Sequence, residues 1–245
     1  MNNQTIEKLR NMRLSAMAQL HQQYVKENRF EGITCDEYLA ILIDHQWEDR
    51  ENNKIERLLK QASFRQNANL GDINYSGDRN LDKNMFARLG TLDFMLRKEN
   101  IIICGACGTG KSFLSQALGH QACITGVKTF YTVTAKLIKK LKMSKADGTY
   151  LKELERLVKI ELLILDDFGL QAFDNQDRES LMDIIDDRHG KRSTIISSQI
   201  PVSALYEIIG GEGTIADAIL DRIVNSSHRI DLKGESLRKG IMKRK

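Results

Sequence analysis

Apolar and polar positions follow one another along this chain in two different periods, and the change of period divides it. Through residue 66 the apolar residues recur at helical spacing, with no strand-like run. Ile6, Leu9, Met12 (or Arg13), Met17 and Leu20 trace an irregular face that ends at the polar break Lys26–Gly32. Thr34-Cys35-Asp36-Glu37 has the Thr-x-x-Glu form in which the two side chains cap each other's backbone N–H, so a second helix opens there. On it Leu39, Leu42, Ile43 and Trp47 fall at helical spacing, the wholly polar Glu48–Lys54 interrupts them, and Ile55, Leu58 and Leu59 rejoin the face. The pattern predicts a helical module over 1–66. Residues 67–80, rich in Asn, Gly, Asp and Ser and broken by Ile73-Asn74-Tyr75, predict a linker.

From residue 81 to 245 short apolar runs alternate with helical stretches. Strands are expected at Asn100–Cys104, Lys128–Val133, Leu162–Asp166, Ser193–Ser197 and His228–Leu232. Helices are expected at Asp82–Arg97, Phe113–Ala122, Ala135–Met143, Tyr150–Val158, Asp177–Arg188, Val202–Ile209 and Ile215–Val224. Several strands are apolar on both faces, which is the mark of a parallel sheet covered by helices on both sides. The fold class is therefore α/β: a parallel five-stranded sheet sandwiched by helices, preceded by a small helical module.

Composition adds boundaries. A chain of 245 residues, 41% hydrophobic and 29% charged, buries one substantial core with material left for an accessory region. No apolar run approaches the ~20 residues of a membrane span, and no basic-then-apolar leader opens the chain, so a cytoplasmic location without membrane contact is expected. Cys104-x-x-Cys107 looks like half of a metal motif, but no second Cys/His pair completes it. The four cysteines read as packing or loop residues in a reducing compartment. Net charge is only +4, but its distribution is uneven. Between Val127 and Lys145 stand Lys128, Lys136, Lys139, Lys140, Lys142 and Lys145 and no acid; Ala146–Gly190 holds twelve acids against five bases. The last residues, Ser236–Lys245, are again basic, and such alternation suggests one face turned toward a polyanion.

The sharpest chemistry is Gly105-Ala106-Cys107-Gly108-Thr109-Gly110-Lys111-Ser112, a full G-x-x-x-x-G-K-S loop between an apolar strand and a helix that opens at Phe113. Glycines let successive backbone N–H groups turn toward a polyphosphate, and the helix N-terminus adds partial positive charge. Lys111 is expected to reach the β- and γ-phosphates, and the Ser112 hydroxyl to ligate Mg²⁺. Leu162-Leu163-Ile164-Leu165-Asp166-Asp167 is an apolar strand that delivers two carboxylates at its end. Asp166 is placed to hold Mg²⁺ and Asp167 to orient or deprotonate the attacking water. The strand Ser193–Ser197 runs into Ser198-Gln199, and a polar side chain at that tip is expected near the γ-phosphate, Gln199 first and Ser198 second.

A phosphate loop, an acid-tipped strand, a polar strand tip and then Asp221-Arg222 in a late helix, in this order, resemble the AAA+ ATPases. More closely, the chain resembles the IstB-type transposition helpers, relatives of the DnaC helicase loaders, over nearly its whole length. The resemblance rests on Thr34–Arg57, Leu163-Ile164-Leu165-Asp166-Asp167-Phe168-Gly169, Ser193–Gln199, Asp221-Arg222-Ile223 and Lys233-Gly234-Glu235-Ser236-Leu237-Arg238-Lys239. It implies an ATPase that assembles as a homo-oligomer on duplex DNA, with ATP at subunit interfaces, and engages a partner transposase. On this pattern Arg222 looks like the arginine finger of a neighbouring site and Arg238 like a sensor of its own subunit's nucleotide. One departure stands out: many AAA+ proteins carry Asp-Glu where this chain has Asp166-Asp167, which implies slow turnover or ATP used as an assembly switch.

Lys136, Lys139 and Lys140 share a helix face, with Thr132 and Thr134 at its entrance and Lys142 and Lys145 beyond. Cations and small hydroxyl donors suit phosphate contacts that carry little sequence preference, so this block is the candidate DNA surface, with the basic tail as an addition. The N-terminal helices and Trp47 are candidates for subunit, DNA or transposase contacts, and packing against the ATPase core explains their apolar stripe equally well. Three rival readings use the same loop: a loader of a replicative helicase, a small-molecule kinase, and a non-catalytic ATP-gated clamp.

Overall fold

The five strands assemble into one sheet, all parallel, in the order β2-β3-β4-β1-β5. They are β1 (Asn100–Gly105), β2 (Thr129–Val133), β3 (Leu162–Asp166), β4 (Ser193–Ser198) and β5 (Ser227–Leu232). The computed structural model describes residues 2–75, 79–209 and 214–237. The strands were expected almost residue for residue; β1 and β3 are short apolar runs, whereas β5, Ser-His-Arg-Ile-Asp-Leu at the sheet edge, is polar on one face.

Side chains of the strands sort by the two-residue period into two cores. Ile102, Cys104, Leu163, Leu165 and Ile196 face one layer, packed with α7 (Thr134–Ala146), α8 (Tyr150–Val158), α9 (Asn175–Arg188), α10 (Val202–Ile209) and α11 (Thr214–Val224). Ile101, Ile103, Tyr131, Leu162, Ile164 and Ile195 face the other, packed with α6 (Lys111–Ile124), α4 (Lys83–Gly90) and α5 (Asp93–Leu96). The Asp82–Arg97 helix is split in two: Asp82 caps α4, and Leu92 takes a left-handed φ of 66° before α5.

The chain divides into two compact units between Arg57 and Leu58. The first holds α1 (Asn2–Asn11), α2 (Ser15–Glu27) and most of α3 (Cys35–Ala62). Arg13, at φ 59°, turns the chain between α1 and α2. The expected capping box opens α3: Glu37 accepts from Thr34 N at 2.8 Å, and Glu37 N donates to Thr34 Oγ1 at 3.3 Å. Those hydrogen bonds, that from the Thr34 backbone first, hold the Glu37 carboxyl below its ordinary range. Tyr24, Phe30 and Tyr38 cluster edge to face, with His21 Nδ1 2.6 Å from the Tyr38 hydroxyl. Leu42 and Gln46 of α3 are buried, whereas Leu39, Ile43 and Trp47 are exposed, Trp47 by 66%. The buried face is thus centred one residue away from the apolar stripe that spacing suggested, because Leu42 and Gln46, four apart, set the helix rotation.

In the second unit the stretch assigned to a linker packs as core. Ala68 and Ile73 are buried with Phe86 and Leu118, and Leu70 packs against the same cluster. Leu70–Asp72, preceded by Asn69 at the N-cap, forms a 3₁₀ turn between those anchors. Among the described residues no helix is long and apolar enough to cross a membrane.

Candidate nucleotide site

Strand β1 ends at Gly105, the chain turns through Ala106–Gly110, and α6 begins at Lys111. The turn depends on glycine where other groups approach. Gly110 has φ 95°, and a Cβ there would sit 2.7 Å from Arg79 Nη2; one on Gly108 (φ 81°) would run into Ser236. Thr109 is buried, its hydroxyl donating to Ala106 O at 2.9 Å and its carbonyl accepting from Arg79 Nη2 at 2.6 Å. Arg79 also donates to Asn74 O, and its Nε is buried without a partner among the described residues. Burial lowers the Arg79 pKa from the ordinary arginine value. A buried guanidinium therefore braces the loop from beneath, adding positive potential where polyphosphate charge is expected.

Lys111 is 5% exposed and donates from Nζ to the loop's own carbonyls, Gly105 O at 2.7 Å and Ala106 O at 2.8 Å. Burial lowers its pKa, opposed by Cys107, Asp167 and Asp166. Neutral carbonyls are weak partners for an ammonium, and a phosphate oxygen is a stronger one. Cys104 lies behind the loop with its thiol pushed up to about 11, chiefly by burial, while Cys107 is exposed in it.

Asp166 ends β3 directly opposite Ser112. Ser112 Oγ donates to Asp166 Oδ1 at 3.0 Å, Ser197 Oγ donates to the same oxygen, and Tyr131 OH donates to Oδ2 at 2.5 Å. Thr134 Oγ1 donates to the Asp166 backbone carbonyl at 2.9 Å. Burial, then the hydrogen bond to Asp166, pushes the Tyr131 phenol far above its ordinary value, so it is a donor at any working pH. A hydroxyl and a carboxylate oxygen side by side are the hard donors Mg²⁺ takes. Among the described residues no three His, Cys, Asp or Glu side chains gather to hold a metal by themselves.

Asp167, next along, adopts a left-handed φ of 52°. Short Asp and Asn side chains tolerate that region better than longer ones, which gives a backbone reason for aspartate where many AAA+ proteins have glutamate. A cleft of about 250 Å³ over the loop is lined by Gln66, Gly108, Gly110, Lys111, Ser112, Phe113, Asp167, Gln199 and Leu237. Gln199 is thus brought to the phosphate loop, as its place at the tip of β4 suggested. Ser198 is turned away, its buried hydroxyl donating to Phe168 O at 2.7 Å. Leu237 N donates to Gly108 O at 3.0 Å, so the chain after β5 crosses the loop. Arg238 lies outside the described residues, as does the basic tail.

Arg222 sits elsewhere. Its carbonyl accepts from Asn100 Nδ2 at 3.3 Å, at the start of β1, and five residues of strand separate that point from Gly105. At a rise of ~3.3 Å per residue that is ~16 Å, so Arg222 lies at the opposite end of the sheet from its own phosphate loop. Its side chain pairs with Asp186 at 2.9 Å, both partly solvent-exposed.

The lysine block is divided by the structure. Lys140 pairs with Glu153 at 2.8 Å, Lys142 with Asp174 and Asp177 at 2.7 Å, and Lys145 lies 3.8 Å from Glu179 and over the Tyr150 ring. The acids come from α8 and α9, so a block without acids in sequence meets them in space. Lys136 and Lys139 are exposed, with no hydrogen-bond or ion-pair partner among the described residues. Thr132 donates only to Val133 O at 3.3 Å, and buried Thr134 is occupied by Asp166 rather than presented at the surface. Lys136, Lys139 and Lys142 border a cavity of about 450 Å³ that Asp167 also lines.

Sequence reasoning missed Tyr131, Ser197 and Arg79. Register held the signal for two of them. Val133 pairs with Asp166 and Tyr131 with Ile164, and Ile196 pairs with Leu165, which brings Ser197 level with Asp166. Nothing in the linker-like sequence around Arg79 marked it.

A loop of this form on a parallel sheet, with an acid-tipped strand two places away and a polar strand between, defines a P-loop nucleotide-binding protein of the AAA+ fold. Residues 7–245 match the family described as IstB-like ATP binding protein, and the chain belongs to that family. The insertion sequence ATP-binding protein y4pL of Sinorhizobium fredii is 41% identical over 235 residues, covering 96% of each chain. Among solved structures, the DnaC helicase loader superposes with a TM-score of 0.57 at 21% identity, over 68% of this chain and 97% of that one. AMPPCP-bound DnaA from Aquifex aeolicus gives 0.60 at 18% identity, over 74% of this chain and 55% of that one. At these identities the structural likenesses speak to fold alone.

Proposed function

We propose that this protein is an ATPase that assembles on duplex DNA in an ATP-dependent manner and assists the transposase of an insertion sequence. The observation that carries the reading is Asp167, which lines both the cleft over the phosphate loop and the neighbouring cavity bordered by Lys136, Lys139 and Lys142. In this reading the carboxylate that orients the attacking water adjoins a basic, partly unpaired surface. A polyanion on that surface changes the field at Asp167, which supports ATP turnover coupled to DNA.

In the nucleotide site Lys111 exchanges its loop carbonyls for phosphate oxygens. Ser112 and Asp166 hold Mg²⁺, which when bound neutralises charge on the phosphates. Asp167 orients the attacking water, and Gln199 contacts the γ-phosphate or that water. Arg222 cannot serve its own nucleotide from the far end of the sheet, and its partners there are a partly exposed ion pair with Asp186 and a hydrogen bond to Ala218 O, both exchangeable. It therefore serves a neighbouring subunit, which makes oligomerisation part of the active site. Arg238 is expected to act on its own subunit's nucleotide.

Among the described residues of the proposed DNA face, Lys136 and Lys139 are the cations without an ion-pair partner. Lys142 contributes after exchanging its acids for phosphates, and Lys140 and Lys145 chiefly hold α8 and α9. Phosphate contacts of this kind carry little base preference. The insertion-sequence relative at 41% identity favours a transposase as client over a replicative helicase.

Sedimentation with ATP and Mg²⁺, with and without a non-specific duplex and at two salt concentrations, tests the proposal. A large, salt-sensitive species that needs both ATP and DNA, and that Lys111→Ala abolishes, is expected. A monomer under every condition overturns the cross-subunit arginine, and a phosphorylated small-molecule product would point to a kinase instead.

A further inference from the structure

We propose that Tyr131 is a positioning residue for the ATPase reaction, fixing the Asp166 carboxylate so that one defined oxygen is offered to Mg²⁺. The inference rests on the reading of Asp166 as the metal-holding acid and adds a residue from a strand that carries no nucleotide motif.

Three elements deliver hydroxyls to one carboxylate. Ser112 at the start of α6 and Ser197 on β4 both donate to Oδ1, and Tyr131 on β2 donates to Oδ2 at 2.5 Å. The sheet order β2-β3-β4 puts Tyr131 and Ser197 on opposite sides of Asp166. The register explains the reach. Tyr131 pairs with Ile164, two residues before Asp166 and so on the same face, and a phenol is long enough to bridge that one step. Serine or threonine at this position is too short, and phenylalanine fills the space without a donor.

The phenol is itself held. Tyr131 is 3% exposed, and its ring packs against Phe64 with centroids 6.4 Å apart. A buried hydroxyl is unfavourable unless partnered, and here the partner is Asp166. The division of labour follows from the strength of the donors' anchoring. Ser112 donates to Oδ1 and is itself expected in the Mg²⁺ shell, so that contact is released when the ion is shared. Among the described residues the Tyr131 hydroxyl has no other hydrogen-bond partner, so Oδ2 stays pinned, and the rotation of the carboxylate is set before the ion arrives. Groups that orient a metal ligand without touching the metal carry about 10- to 100-fold in metal affinity or activity.

Fluorescent mant-ATP titrations of the full-length protein, run with and without MgCl₂ on wild type, Tyr131→Phe, Asp166→Asn and the double variant, test this. Tyr131→Phe is expected to leave the metal-free affinity within about twofold. It should raise the Mg²⁺ concentration for half-maximal tightening about tenfold or more, and lower kcat at fixed Mg²⁺ with partial recovery at high Mg²⁺. On the Asp166→Asn background it should add nothing, because the two residues act as one unit. A melting temperature that drops in Tyr131→Phe while the Mg²⁺ response stays at wild type makes the hydroxyl purely structural and overturns the proposal. An Mg²⁺ response unchanged in Asp166→Asn itself overturns the underlying reading of Asp166, a different failure visible in the same titration.

Discussion

The two ends of the parallel sheet use the same kinds of polar residue for opposite ends. At the carboxyl end, Lys111 rests on two loop carbonyls and Ser112 on a carboxylate, partners that the proposed function has a nucleotide and its ion replace. At the amino end, Arg188 is 2% exposed and donates to Leu157 O, Ile160 O and Ser193 O at 2.9, 2.7 and 2.6 Å, and to Thr194 Oγ1 at 3.1 Å. Burial lowers its pKa, and among the described residues no carboxylate pairs with it; backbone carbonyls around the end of α8 and the start of β4 partner it instead. Asn100 works alongside it, accepting from Thr194 N at 2.9 Å. What separates a functional polar cluster from a structural one here is therefore whether its partners can be exchanged. Arg222 is the instructive case, because it lies at the structural end with an exchangeable partner.

The sharpest test of that contrast is Arg222→Ala. An arginine that completes a neighbour's site is expected to leave ATP binding within about twofold while turnover in the DNA-assembled state falls about 10³-fold. Steady-state kinetics beside mant-ATP binding separates the two, and a parallel loss of melting temperature would place Arg222 with the structural residues after all. Next in size, Arg188→Met leaves several buried carbonyls without a donor and should destabilise the protein by about 3–5 kcal/mol. In a thermal melt that amounts to roughly 10 °C, with the nucleotide affinity of the folded fraction retained.

The smallest effect concerns the acids that meet the lysine block. Burial raises the Glu153 pKa, and hydrogen bonds from Lys140 and Arg156 more than reverse that, so the net shift is downward. A depressed carboxylate contributes stability above its ordinary value of 4.5 and loses it as pH falls through the lower folded value. Glu153→Gln should therefore cost about 0.5 kcal/mol near neutrality, discounted for the half-exposed lysine, and the gap to wild type should close well below pH 4.5. A gap that is constant with pH would mean that packing, not the ion pair, is being measured.

Most of this protein was readable from the order of its residues. Apolar runs located β1 and β3, because a central parallel strand is buried on both faces, and alternation located the edge strand β5, where Ile230 and Leu232 are buried and Arg229 and Asp231 are not. The phosphate loop was readable because its shape depends on residues contiguous in sequence, and the place of Asp166 at the end of β3 because a carboxylate closes a run of four apolar residues. The capping box at Thr34 and Glu37 is equally local. Tertiary structure decided everything that joins distant segments. Register placed Tyr131 and Ser197 on the two sides of Asp166, and folding brought Arg79 from an apparent linker under Gly110. The same folding set the acids of α8 and α9 against Lys140, Lys142 and Lys145, and rotated α3 so that Leu42 is buried while Trp47 is not. Local propensity and contiguous motifs act over a few residues and are written in their order. Pairing between strands and the meeting of charges depend on where the whole chain runs, and only the packed sheet determines that.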